Sequence, residues 1–142
     1  MARIIIIDDD RIVCEATSIL LRANGYEVTV ATDGKSGIEL ARREPVDLAI
    51  VDLFMPDMDG LKVVEAIRAM KPDLPIIVAS GFMFEQQNVP QMPGFEAMAS
   101  EAGAVRTLYK PLRPKDVIAA VTEALATRSE APPDRSKVVR LG

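Results

Sequence analysis

The sequence predicts an α/β fold built on a parallel sheet, and three observations predict it. Short apolar runs alternate with segments of helical periodicity along most of the chain, which is the βαβ pattern. The first run, Ile4 to Ile7, is four consecutive β-branched residues, the composition of a strand covered on both faces. It runs straight into Asp8, Asp9 and Asp10, acids at the strand end where open α/β sheets place their ligands.

The elements follow in order. Arg3–Ile7 is the first strand. In the helix after it, Ile12, Ala16, Ile19, Leu20 and Ala23 form the expected inward stripe, with Arg11, Glu15, Ser18 and Arg22 opposite. Asn24-Gly25 supplies the left-handed residue that closes this helix. The second strand is Glu27–Ala31, and the second helix covers about Lys35 to Arg43, where Pro45 stops it. Asp47–Val51 is the third strand. The third helix runs from about Leu61 to Met70, with Leu61, Val64 and Ile67 inward and Pro72 beyond its end. Leu74–Ala79 and Val105–Tyr109 are the last two strands. The final helix begins at Pro114, a favoured first-turn position, and carries Val117, Val121, Ala124 and Leu125 on its apolar face.

The stretch from Gly81 to Gly103 breaks the alternation. Pro90, Pro93 and Gly94 interrupt any long helix, so an irregular loop with one short helix near Phe95–Glu101 is expected. The segment from Ser129 to Gly142 has two prolines and little apolar content, and is expected to be a flexible tail. The division is therefore one domain over residues 1–128 and a tail over 129–142.

Composition removes several function classes. The 142 residues suit one domain, and 49% hydrophobic content marks a globular chain. A net charge of −4 gives no electrostatic reason to bind nucleic acid, and 4% aromatic residues without tryptophan argue against base stacking. Histidine is absent, which removes Ser-His-Asp and Cys-His catalysis and imidazole metal ligation together. The single cysteine, Cys14, fits a reducing compartment and reads as a core or boundary thiol. No apolar run approaches a membrane span, and the N-terminal run is too short for a secretory signal, so a cytoplasmic location is expected.

The residues at the strand ends carry the chemistry. Asp8 and Asp9 follow the first strand, Asp52 the third, Ser80 the fourth and Lys110 the fifth. With the segments IIIIDDD (Ile4–Asp10), VDLFMPDMDG (Val51–Gly60), VASG (Val78–Gly81) and YKPL (Tyr109–Leu112), this pattern resembles the receiver domain of bacterial two-component response regulators. The resemblance covers about Ala2 to Arg128. It implies a flavodoxin-like three-layer (βα)5 sandwich with sheet order 2-1-3-4-5, an order for which the chemotaxis receiver is a known example. In that order the acids, Ser80 and Lys110 become neighbours across one sheet edge.

The resemblance also implies roles. Asp52 is the nucleophile that accepts a phosphoryl group and becomes an aspartyl phosphate. Asp8 and Asp9 hold Mg²⁺ with Asp52 and the backbone carbonyl of Phe54. Ser80 hydrogen-bonds the phosphoryl group, Lys110 neutralises its charge, and Lys110-Pro111 matches a position where the family usually has a cis peptide. The physics agrees. Carboxylates roughly 5 Å apart repel by about 3 kcal/mol per pair at an effective dielectric near 20, and an all-oxygen site with room for water suits Mg²⁺. Asp10 reads as a helix N-cap, and Asp57 and Asp59 as loop acids before the third helix, not ligands.

The donor implied is a sensor histidine kinase or a histidine phosphotransfer protein, and the output a downstream protein target or output domain. The residues after Ala126 leave no room for an output domain or an appended enzyme in this chain. The chain is thus expected to be a phosphoacceptor, not an enzyme with an external substrate. The alternative is a phosphorylation-independent interaction module of the same fold. Three departures from the family stand out. Thr107 replaces a common aromatic. The Ser80–Lys110 segment is several residues longer than usual and carries Phe82, Met83, Phe84, Met92, Phe95 and Met98. Phe54 and Phe82 flank the acceptor where neither positions a water, so slow autodephosphorylation is expected.

Overall fold

Four isoleucines in a row feed two separate cores, because successive side chains of a strand leave opposite faces. Ile5 and Ile7 enter the cluster that also holds Val51, Val63, Val64 and Ile67. Ile4 and Ile6 enter the cluster with Cys14, Leu21, Val117 and Val121 on the other face. All four isoleucines are fully buried, and each contributes about 1.5–3 kcal/mol of burial free energy.

The computed structural model describes residues 1–80 and 100–130. The elements are β1 (Arg3–Ile7), α1 (Arg11–Ala23), β2 (Glu27–Ala31), α2 (Gly34–Arg43), β3 (Leu48–Asp52), α3 (Gly60–Met70), β4 (Ile76–Ser80), β5 (Ala104–Tyr109) and α4 (Pro114–Glu130). The sheet is parallel throughout in the order β2-β1-β3-β4-β5, the order expected. Helices α2 and α3 cover one face, and α1 and α4 the other. The apolar side chains from Phe82 to Met98, most of the short helix expected near Phe95–Glu101 and residues 131–142 of the expected tail lie outside the described residues, while Ser129 and Glu130, expected in that tail, continue α4. Among the described residues, 100–102 are helical, and the Gly103 N–H donates to the Ser100 carbonyl at 3.0 Å.

The strand limits differ from expectation by one or two residues. β3 runs one residue further, so Asp52 is the last residue of the strand itself, in register with Ala79. β4 starts at Ile76 because Pro75 has no N–H for the ladder, although its carbonyl still accepts from the Ala49 N–H at 3.1 Å. β5 starts at Ala104, and a register shift leaves Val105 as an extra residue between partners of Ile76 and Ile77.

Helix α1 is turned from the expectation: Arg11, Glu15 and Arg22 are exposed and Leu20 is partly buried as expected, but Ile12, Ala16, Ile19 and Ala23 are exposed and Ser18 is buried. The buried residues of α1 are Cys14, Thr17, Ser18 and Leu21, while Ile12 is 78% and Ile19 61% exposed. The stripes 12-16-19-23 and 14-17-18-21 both have helical spacing, so apolarity alone chose the wrong one. The acidic turn sets the phase. Asp10 caps the helix by accepting from the Ile12 and Val13 N–H groups at 3.0 and 3.3 Å, and the Cys14 thiol, turned to the sheet, donates to the Asp8 carbonyl at 3.2 Å. Gly25, at φ 90°, closes the helix in the left-handed conformation as expected. In α3, Val63, Val64 and Ile67 are buried and Leu61 only partly. In α4, Val117, Val121 and Ala124 are buried as expected, joined by Ala120.

Candidate functional site

The C-terminal ends of β1, β3, β4 and β5 converge on one edge of the sheet and bring the sequence-selected residues together. Asp8 continues β1, its N–H donating to the Ala31 carbonyl at 3.1 Å. Its carboxylate is oriented by the Asp10 N–H, 2.9 Å from Oδ1. Asp52 ends β3 and accepts from the Phe54 N–H at 3.2 Å. Ser80 ends β4, and its carbonyl accepts from the Lys110 N–H at 2.9 Å. Asp8, Asp52 and Ser80 are buried, while Asp9 is exposed.

Lys110 crosses this edge. Its Nζ lies 2.8 Å from Asp8 Oδ2 and 3.7 Å from Asp52 Oδ2. The Lys110-Pro111 peptide is cis, as the resemblance implied. The loop after Asp52 closes tightly onto α3. The Gly60 N–H donates to the Leu53 carbonyl at 3.1 Å, and Phe54 bridges Asp59 in antiparallel fashion. A Cβ at Gly60 would lie 2.4 Å from Leu53 Cα and 2.5 Å from the Asp52 carbonyl oxygen, so only glycine allows this approach. Asp59 caps α3 through the Leu61 N–H at 2.9 Å.

The electrostatics are unbalanced. Three carboxylates face one ammonium. Burial, then the negative charge of Asp8, pushes the Asp52 carboxyl up to about 7; Asp9 adds to this, while Lys110 and the Phe54 N–H oppose it. Burial works against the charge on Lys110, but the hydrogen bond and charge of Asp8, with Asp52, outweigh it and hold the ammonium above its ordinary value. Burial and then Asp8 raise the Cys14 thiol to about 11, so it stays protonated beneath the site.

This arrangement fits a small hard cation. One oxygen from each of Asp8, Asp9 and Asp52 lies within 4.8 Å of the others. Mg²⁺ holds oxygens at about 2.1 Å and would draw the three slightly closer. The donor set is all oxygen, and a divalent charge would offset the repulsion that raises Asp52.

A response regulator receiver domain model matches residues 4–122. The chain belongs to that family. The receiver is 31% identical over 140 residues to the transcriptional regulatory protein PrrA of Mycobacterium tuberculosis, covering 99% of this chain and 57% of that protein. It is also 31% identical over 123 residues to the transcriptional regulatory protein ZraR of Escherichia coli, covering 87% of this chain and 26% of that one. The chain thus spans little more than half the length of PrrA and about a quarter of ZraR. Among solved structures, a receiver domain protein from Methanospirillum hungatei superposes with a TM-score of 0.81 at 27% identity, covering 92% of this chain and 98% of that one. The chemotaxis protein CheY4 of Vibrio cholerae gives 0.76 at 27%, covering 88% and 99%. The chain is thus a receiver domain of the response regulators of two-component signalling, a signalling family.

Two features of this receiver had no local sequence signal. Asp57 accepts from the Gly34 N–H, 23 residues away, at 3.1 and 3.3 Å from its two oxygens. Tyr109 stands opposite Ser80 in the β4–β5 register and is half exposed, while Thr107 stands opposite Val78. Among the described residues, no helix is long and apolar enough to cross a membrane.

Proposed function

We propose that Asp52 is the phosphoacceptor of this receiver, and that Asp8, Asp9 and the Phe54 carbonyl hold Mg²⁺ beside it. The observation that carries the proposal is the convergence of Asp8, Asp52 and Lys110 within salt-bridge distance at the end of a buried sheet. A carboxylate oxygen of Asp52 attacks phosphorus, the P–N bond of a phosphohistidine breaks, and its electron pair leaves with the imidazole nitrogen. Bound there, Mg²⁺ supplies neutralisation of the transferring oxygens. Lys110 moves from Asp8 toward the new phosphoryl group, and the Ser80 hydroxyl donates to it. The chain contains no histidine, so the donor is a separate histidine-phosphorylated domain.

The turned α1 supports a docking place for that donor. Ile12 and Ile19 are exposed on the helix that starts directly after Asp10. An apolar stripe beside the acceptor suits a helical donor that must bring a phosphohistidine to Asp52. The signal then passes to a protein target or an output domain. Phe54, half exposed two residues from the acceptor, places no polar group there to position water, which supports slow loss of the phosphoryl group.

Transfer from a histidine-phosphorylated donor domain tests the reading. Label is expected on the wild type and not on Asp52→Asn. Ile12→Asp with Ile19→Asp should still accept label from acetyl phosphate but slowly from the donor. Equal labelling of Asp52→Asn would refute the assignment.

A further inference from the structure

The loop from Leu53 to Gly60 is pinned at both ends. The Leu53 N–H donates to the Ala79 carbonyl at 2.9 Å, and the Gly60 N–H returns to the Leu53 carbonyl at 3.1 Å. Its apex is held differently. Both oxygens of the Asp57 carboxylate lie 3.1 and 3.3 Å from the backbone N of Gly34, the first residue of α2. The α2 cap, Asp33, serves the Ser36 N–H at 2.8 Å, which leaves Gly34 to a partner from outside the helix. A helix N-terminus favours such a carboxylate.

The contact is also steric. A Cβ at Gly34 would lie 3.0 Å from Met58 Cβ and 3.0 Å from Val63 Cγ2, so the loop rests directly on this glycine. The turn that carries Gly34 follows β2, whose last residue, Ala31, accepts from the Asp8 N–H at 3.1 Å. Asp57 therefore joins the loop after Asp52 to the turn that follows the strand bracing Asp8. It is not in the acidic group itself, which among the described residues comprises Asp8, Asp9 and Asp52.

We propose that Asp57 is a positioning residue for the cation site: by clasping the Gly34 N–H it holds the loop that presents the Phe54 carbonyl to Mg²⁺. The inference rests on the metal reading above. A loop ordered beforehand spares the cation the cost of ordering it, which raises affinity without adding a ligand.

Calorimetric titration of the whole chain with Mg²⁺ tests this, beside amide NMR of the metal-free protein. Asp57 is exposed, so its variants keep the fold. Asp57→Ala should weaken Mg²⁺ binding about tenfold, the lower end of what one charge-assisted hydrogen bond contributes. It should also shift the Phe54 and Gly34 amide resonances before any metal is added. Asp57→Asn, which keeps an acceptor oxygen but no charge, should retain most of the wild-type affinity. Asp57→Ala binding as tightly as wild type would overturn the inference, and so would Asp57→Asn binding as weakly as Asp57→Ala, which would assign the effect to charge at a distance. No Mg²⁺ binding by the wild type would instead overturn the metal reading itself, and the inference with it.

Discussion

Lys110 Nζ sits 2.8 Å from Asp8 Oδ2, closer than its 3.7 Å to Asp52. The ammonium is therefore paired more closely with Asp8 than with Asp52, which is left with little compensation. Lys110→Met removes the one cation that, among the described residues, pairs with these acids. It should lower metal-free stability at pH 8 by about 2 kcal/mol, since breaking a buried pair strands its partner. It should also move the Asp52 titration higher. Urea denaturation and a carboxyl NMR titration check both. Unchanged stability would show that Asp8 and Asp52 do not depend on Lys110.

The raised Asp52 carboxyl gives a pH dependence of definite sign. Its ordinary value is 3.8 and in the fold it is about 7. A group whose pKa is higher folded than unfolded favours the fold most below the unfolded value, and that contribution disappears as pH rises through the folded one. Metal-free stability should therefore fall between about pH 4 and pH 7 through this group. Asp52→Asn should flatten that slope, and Mg²⁺ should stabilise the wild type more at pH 8 than at pH 5, because it competes with the proton. Denaturation midpoints across pH, with and without Mg²⁺, measure this. A slope unchanged in Asp52→Asn would assign it to other groups.

Ser18 offers a test remote from the site. Its hydroxyl is buried in α1, where it has no hydrogen-bond partner among the described residues. Ser18→Ala should stabilise the receiver by about 1 kcal/mol, from the removed desolvation penalty and better helix propensity. The readout is the denaturation midpoint. A destabilised variant would mean that the hydroxyl has a partner.

The parts of this molecule legible in its sequence are those where one residue type admits one physical reading. The Ile4–Ile7 run had to be a strand covered on both faces, and acids, Ser80 and Lys110 at successive strand ends had to share an edge once the order was known. Asp10 as a cap followed from its place before the helix. The orientation of α1 did not, because two stripes of the same period compete and the buried one contains Thr17 and Ser18. Packing against β1 and α4, and the acidic turn that starts the helix, settled what apolarity could not. Strand limits shifted where ladder donors decide them, as at Pro75. The Asp57–Gly34 clasp joins residues 23 apart, and nothing local to either announces the other.

The central claim is that Asp52 accepts a phosphoryl group with Mg²⁺ bound beside it. Intact-mass measurement after incubation with acetyl phosphate, followed by borohydride reduction and peptide mapping, tests it most directly. The account predicts a gain of one phosphoryl group that requires Mg²⁺, maps to Asp52 and is absent from Asp52→Asn. No gain under conditions that label another receiver, or a label on any other residue, would contradict it and favour an interaction module that works without phosphorylation.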